Sequence, residues 1–167
     1  EVLNLEFAGR LELLFSWISE EPLAAASMAQ VHRARFHNGS DVVIKVIRPG
    51  NRQLVEEDMG LLQTMAHLVE QYFSDLGYNP VLVAQELSRE LLKEVNLVYE
   101  GQATDRLRRY FEDDENIFFP LVYWEASSRN VLTLEEIKGH RLSTIAVEDL
   151  TTSQRRDIVT RGTDAVF

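Results

Sequence analysis

The chain has 167 residues, 45% of them hydrophobic and 26% charged, with a formal net charge of -10 and no cysteine. That balance fits one globular domain or one large lobe, able by size to bury roughly 70% of its unfolded surface. The acidity excludes a nucleic-acid surface, which needs clustered Lys and Arg, and it is a poor match for anionic lipid.

The absence of thiols excludes disulfides and thiolate metal sites and is compatible with a reducing compartment. No apolar run approaches the ~18 residues of a bilayer-spanning helix. The chain starts at Glu1 without a signal peptide and stops at Phe167 inside a helical pattern, so it reads as an internal fragment.

Leu3, Phe7, Leu11 and Leu14 fall at helical spacing and predict a short packing helix over residues 2–16. Residues 17–23 read as a strand that Pro22 confines to an edge. A loop of small residues follows, Ala24, Ala25, Ala26, Ser27, Met28 and Ala29, opening into a run that contains Val31. Asn38-Gly39 then separates two runs rich in β-branched residues, a strong hairpin signal.

The second run, Asp41-Val42-Val43-Ile44-Lys45-Val46, carries one lysine among apolar residues. Strand alternation puts Lys45 on the face of Val43 and Ile47, aimed at an apolar layer or a cleft. Taken alone, such a lysine is more often an edge-strand guard against aggregation. The stretch upstream changes that balance. The protein-kinase pattern is G-x-G-x-x-G-x-V followed by V-A-I-K. Here Ala24, Ala26 and Ala29 occupy the glycine positions, Val31 the valine, and Val42-Val43-Ile44-Lys45 the lysine strand.

After Pro49-Gly50 a long helix is predicted from about Arg52 to Leu76, with Leu54, Leu61, Met65, Leu68, Tyr72 and Leu76 as its stripe. Gly77-Tyr78-Asn79-Pro80 breaks it. A second helix is expected from Val81 to about Phe111, with room for a bend. Val83, Leu87, Leu91, Glu94 and Val98 share one face of it, so Glu94 interrupts an apolar stripe. A carboxylate left there after losing a buried partner would cost about 3–5 kcal/mol. Periodicity alone favours the plainer reading, a charge at the stripe's margin reaching water.

Asp113, Asp114 and Glu115 form a solvated acidic turn. Strands over 117–124 and 131–137 are joined by Ser127-Ser128-Arg129-Asn130, and Lys138-Gly139 closes the second. From Leu142 the pattern gives two short helices broken around Thr151-Thr152-Ser153. Strands, helices, then strands and helices again is an α+β pattern. His140-Arg141-Leu142 imitates the start of a catalytic H-R-D without its aspartate, and Asp75-Leu76-Gly77 imitates D-x-G in the wrong order. His32, His37 and His67 show no ligand spacing, and no metal site is predicted.

With "PLAAASMAQVHRA" ahead of "VVIKVIRPG", the sequence resembles the UbiB-type atypical kinases linked to ubiquinone (coenzyme Q) biosynthesis, whose mark is an alanine-rich loop where ordinary kinases have glycines. The resemblance covers nearly the whole chain. It implies a protein-kinase-like N-lobe: a twisted antiparallel sheet, an inserted long helix, and a kinase-type helix carrying Glu94. Residues 1–138 would form that lobe, and 139–167 the start of a truncated C-lobe.

The resemblance also implies site roles. Lys45 would hold the α- and β-phosphates of ATP or ADP. Glu94 would be its pairing acid, from the family's E-x-D, seen here as Glu94-Val95-Asn96; Glu100 would be the second acid, from E-A-x-N, seen as Glu100-Gly101-Gln102-Ala103. Asn96 replaces aspartate and Ala103 replaces asparagine. Residues 24–29 would cover the nucleotide, Val31 and Val43 would roof the adenine, and backbone groups of Glu135 and Ile137 would hydrogen-bond the base.

Mg2+ ligands, the catalytic-loop acid and the family's K-x-G-Q segment all fall outside this chain, so the fragment is expected to be inactive alone. The intact protein is expected to be a cytoplasmic ATP-dependent atypical kinase or ATPase, membrane-associated if at all through other segments. Its partners would be isoprenoid lipid or ubiquinone-biosynthesis proteins. Two other readings stay open. One is a small-molecule kinase of the aminoglycoside phosphotransferase type, which needs a different loop and no long helix between Lys45 and Glu94. The other is a non-catalytic scaffold binding protein or lipid.

Overall fold

β-Branched runs at period two build the sheet on which everything else rests. The computed structural model describes residues 2–73, 77–140 and 142–166. Its five strands are β1 (Phe15–Ile18), β2 (Ala24–Ala25), β3 (Ala29–Phe36), β4 (Asp41–Ile47) and β5 (Val131–Glu135). All pairings are antiparallel, in the order β1-β3-β4-β5; β2 shares the outer edge of β3 with β1, farther along the strand. The Asn38-Gly39 turn is where the pattern puts it: the Gly39 amide donates to Phe36 O (3.0 Å), and Gly39 takes φ 88°, a conformation glycine adopts without strain.

The sheet has two apolar faces. On one, Ala34, Phe36, Val42, Ile44 and Val131 pack against Phe7 and Phe15. On the other, Ala29, Ile47 and Leu132 pack with Leu97 and Val122. The first face is closed by α1 (Val2–Glu6) and α2 (Leu11–Leu14), two short helices where the spacing predicts one. Ala8 and Gly9 interrupt them with positive φ values of 47° and 79°. Phe7 lies just ahead of that break and keeps its place in the core, 4% exposed.

Helices α3 (Asn51–Tyr72) and α4 (Pro80–Glu94) form a hairpin packed through Ala66, Val81, Ala84 and Leu62. The predicted single helix over 81–111 is two helices. α4 ends at Glu94, and α5 (Leu97–Tyr110) begins after Asn96, whose side chain accepts from the Val98 amide as its N-cap. Aspartate, which the resemblance implies at this position, would cap equally well.

Other differences are local. The strand predicted over 17–23 shortens to β1, and Pro22 lies in the connection to β2. The strand predicted over 117–124 is reduced to a bridge from Val122 to Leu134, followed by a 3-10 turn at Trp124–Ala126. The tail holds two 3-10 turns, Leu142–Thr144 and Val147–Asp149, and α6 (Thr152–Val166). Leu76, Asp75 of the D-x-G lookalike and Arg141 of the H-R-D lookalike lie outside the described residues.

Candidate functional site

Strand register assembles the site. Ala24 pairs with Val31, Val31 with Lys45, and Lys45 with Leu132, so four side chains from β2, β3, β4 and β5 form one row across one face. Val43 lies one row along on the same face, opposite Leu134. Strand alternation thus delivers the predicted set Ala24, Val31, Val43 and Lys45 to a common surface.

The lysine meets a carboxylate there, though not the expected one. Lys45 Nζ donates to Glu100 Oε2 at 2.6 Å. Glu100 sits in the first turn of α5, and α5 is anchored beside the sheet by buried Leu97, whose amide donates to Arg129 O (2.9 Å). Glu94, by contrast, is the exposed last residue of α4 and has no partner among the described residues. The reason is the break at Val95-Asn96. It ends the phase that carried Glu94 and starts a new one that turns Glu100 toward Lys45. The expectation that Glu94 holds the lysine is therefore corrected to Glu100, which the E-A-x-N segment had already singled out as the second acid.

Both partners keep contact with water, their side chains being 30% and 42% exposed. A pair so open contributes at most about 1 kcal/mol to folding. Stability therefore does not require it; unlike the Arg33–Glu136 and Arg35–Asp41 pairs farther along the same face, it stands in the row of Val31 and Leu132.

The alanine stretch is a tight hairpin lying at the end of this row. Leu23 N donates to Val31 O (2.7 Å) and Ala26 N to Ala29 O (2.9 Å), leaving Ala26, Ser27 and Met28 as the tip. None of residues 24–29 has positive φ, so alanine methyls cost the backbone nothing here. The tip is fastened to the next connection: Arg48 N donates to Met28 O (2.9 Å), and Asn51 Nδ2 donates to Ser27 O (3.2 Å).

At the other end of the sheet, the Glu135 amide donates to Leu121 O (2.9 Å), and its carboxylate accepts from Leu121 N (3.2 Å). That N–H is therefore not free for a base, which corrects part of the expected hinge contact. Ile137 follows the strand and is 53% exposed. A separate hollow of about 300 Å³ opens on the opposite face, lined by Ile18, His32, Val46 and Arg48 among others, and includes none of the predicted site residues. Among the described residues no group of three or more His, Asp or Glu is placed to hold a metal ion, and no helix is long and apolar enough to cross a membrane.

What the sequence missed lies next to Glu100. Gly101, Asp105 and Trp124 knit α5 to the sheet, with Trp124 Nε1 donating to Asp105 Oδ2 at 2.7 Å. A buried glycine inside a helix was the available signal.

Known proteins resemble this chain over nearly its whole length. The family profile of the ABC1 atypical kinase-like domain matches residues 1–167. "Probable protein kinase UbiB" of Aeromonas hydrophila is 37% identical over 159 residues, which is 94% of this chain and 29% of that protein. The protein of the same name from Photobacterium profundum is 38% identical over 147 residues, 87% of this chain and 27% of its own length. The chain thus spans less than a third of these relatives. Among solved structures, the complex of Rv3197 with erythromycin from Mycobacterium tuberculosis matches with a TM-score of 0.79 at 26% identity, covering 95% of this chain and 39% of that one. The antiparallel sheet with its helices is accordingly a kinase-like α+β fold.

Proposed function

The chain belongs to the ABC1 atypical kinase-like family, and on that premise we propose that it is the nucleotide-binding lobe of an ATP-dependent atypical kinase or ATPase. The observation that carries the reading is the Lys45–Glu100 ion pair at 2.6 Å, in a row with Val31 and the alanine hairpin. In kinase chemistry a carboxylate on a helix holds the strand lysine where it can take the α- and β-phosphates. Lys45 fits that part, being charged, held from one side and still open to water. Val31 and Val43 supply an apolar surface for the base, and residues 24–29 form the lid.

ATP bound with Mg2+ supplies the transferable phosphoryl group; the metal's ligands would come from residues outside this chain. Residues 1–138 then serve as the N-lobe and 139–167 as the start of the second lobe. Glu94 stays in the proposal as a carboxylate free to meet a group that the described residues do not supply. The relatives' UbiB name supports a role for the intact protein in ubiquinone biosynthesis; other isoprenoid-lipid metabolism and a cytoplasmic setting belong to the same proposal. The alanine hairpin and the 22-residue α3 between Lys45 and Glu100 count against a small-molecule kinase of the aminoglycoside phosphotransferase type.

The test is binding of a non-hydrolysable ATP analogue by the full-length protein. Lys45→Ala and Glu100→Gln should each weaken it about tenfold or more, and Glu94→Gln less than about twofold. Wild-type affinity in Lys45→Ala overturns the reading. Ala26→Gly should shift affinity or nucleotide selectivity, because it frees a lid whose backbone now keeps to negative φ.

A specific observation favours one second reading, a protein-binding scaffold. The outer flank of α3 leaves Leu61, Met65, Leu68 and Tyr72 each at least half exposed. Retained partner binding with no nucleotide affinity in the full-length protein would select it.

A further inference from the structure

The β4–β5 ladder ends where Val42 pairs with Glu135. Glu136, Ile137 and Lys138 follow, ahead of Gly139. Past its last ladder pair a chain loses the repeating backbone bonds that hold a strand, so such a connector needs other anchors. Among the described residues three hydrogen bonds supply them, and all reach β3 or β4. Glu136 N donates to Asp41 O (3.2 Å), Arg33 Nε to Glu136 Oε1 (2.8 Å), and Lys138 Nζ to Asp41 Oδ2 (3.2 Å). Asp41 is itself held from the other side by Arg35 Nε, at 2.7 Å from Oδ1.

The register places this network. Arg33 stands opposite Val43, and Asp41 lies two residues from Val43 on the side away from Lys45. Strand alternation puts all of them on the face of Val31. Val43 is thus bracketed, with the Lys45–Glu100 pair on one side and this network on the other.

Open ion pairs usually contribute little. Three others here, Arg52–Glu56, Arg89–Glu86 and Lys93–Glu90, join helix neighbours three or four residues apart. Arg33 and Glu136 are 103 positions apart, so their pair fixes one element on another. Both carboxylates of the network are largely withdrawn from water, the Glu136 and Asp41 side chains being 16% and 25% exposed. Asp41 also divides its two oxygens between two cations, and Glu136 is tied by backbone and side chain together.

We propose that Arg33 and Asp41 are positioning residues that clamp the connector 136–138 onto the sheet and so fix the outer end of the surface offered to the base. The link to the base rests on the nucleotide-binding reading above, whereas the clamp itself does not.

The test uses the full-length protein and a charge swap. Arg33→Glu sets a third carboxylate beside Glu136 and Asp41; Arg33→Glu/Glu136→Arg restores opposite signs. Hydrogen exchange in a peptide covering residues 134–140 should quicken about fivefold or more in the single variant. It should return to within about twofold of wild type in the swap. Unchanged exchange in Arg33→Glu overturns the clamp, and so does failure of the rescue with the double variant folded. Should Arg33→Glu not fold, Arg33→Gln removes the pair without adding charge; exchange there must quicken about twofold, and wild-type exchange overturns the clamp equally. Affinity for a non-hydrolysable ATP analogue should fall about threefold in Arg33→Glu and recover in the swap. A loosened connector with unmoved affinity overturns the link to the base. Wild-type affinity in Lys45→Ala instead sinks the nucleotide reading and leaves the clamp to the exchange measurement.

Discussion

The sheet with α5 and the α3–α4 hairpin are both rich in apolar residues, yet they use them in opposite ways. In the sheet, Val42, Ile44, Val131 and Leu132 are fully buried between layers. In the hairpin the buried side chains are small, Ala66, Val81, Ala84 and Ser88, while Leu54, Leu61, Met65, Leu68 and Tyr72 of α3 and Val83 and Leu87 of α4 face outward. At about 100° per residue these outward positions lie on the same side of the antiparallel pair. The opposite side carries the polar set Arg52, Glu56 and Arg89. The difference teaches that apolar periodicity reports a face, not whether anything covers it. The packed region fixes the lysine and its acid; the hairpin offers a surface.

The largest test of that contrast is Ile44→Ala, which should cost about 2–5 kcal/mol in urea unfolding of the 167-residue chain, because the site is sealed on both sides. A loss under about 1 kcal/mol would mean the sheet is not the core it resembles. Next is Asn96→Ala, which removes the cap that starts α5 and should cost about 1 kcal/mol, with Asn96→Asp near neutral. On the hairpin, Leu61→Ser and Leu68→Ser should each change stability by less than about 0.5 kcal/mol in the same chain. A larger loss would show that the outer flank is covered.

The smallest effect is electrostatic. Hydrogen bonds first from Arg35 and then from Lys138 hold the Asp41 carboxyl below its ordinary value of 3.8. A carboxyl depressed in the folded state lends stability that is present above the unfolded value and lost as pH falls through the folded one. Asp41→Asn should therefore lower stability slightly at neutral pH, match wild type at the acid extreme, and so flatten the acid limb of a stability–pH curve below about pH 4.

These contrasts also mark what the sequence made legible. Val31, Val43 and Lys45 were readable because strand alternation is strict and the Asn38-Gly39 turn pins the register. Glu94 as the lysine's acid follows from the resemblance and not from the spacing, which alone favours a carboxylate at the stripe's margin reaching water. Asn96 before Leu97-Val98 is a helix-start signal, and honouring it moves the phase from Glu94 to Glu100. The stripes read on α3 and α4 are real but lie outward, since Ala66 and Ala84 let the backbones approach closely and take the inner positions. Gly101 and Trp124 were invisible as a pair, because they lie 23 positions apart and only the fold joins them.

One side chain links the two regions compared above. Asn51, the first residue of α3, grips the carbonyl of Ser27 at the tip of the alanine hairpin. The alanine hairpin thus cannot lift from the sheet unless Asn51 and the Arg48 amide both let go or the first turn of the long helix travels with it.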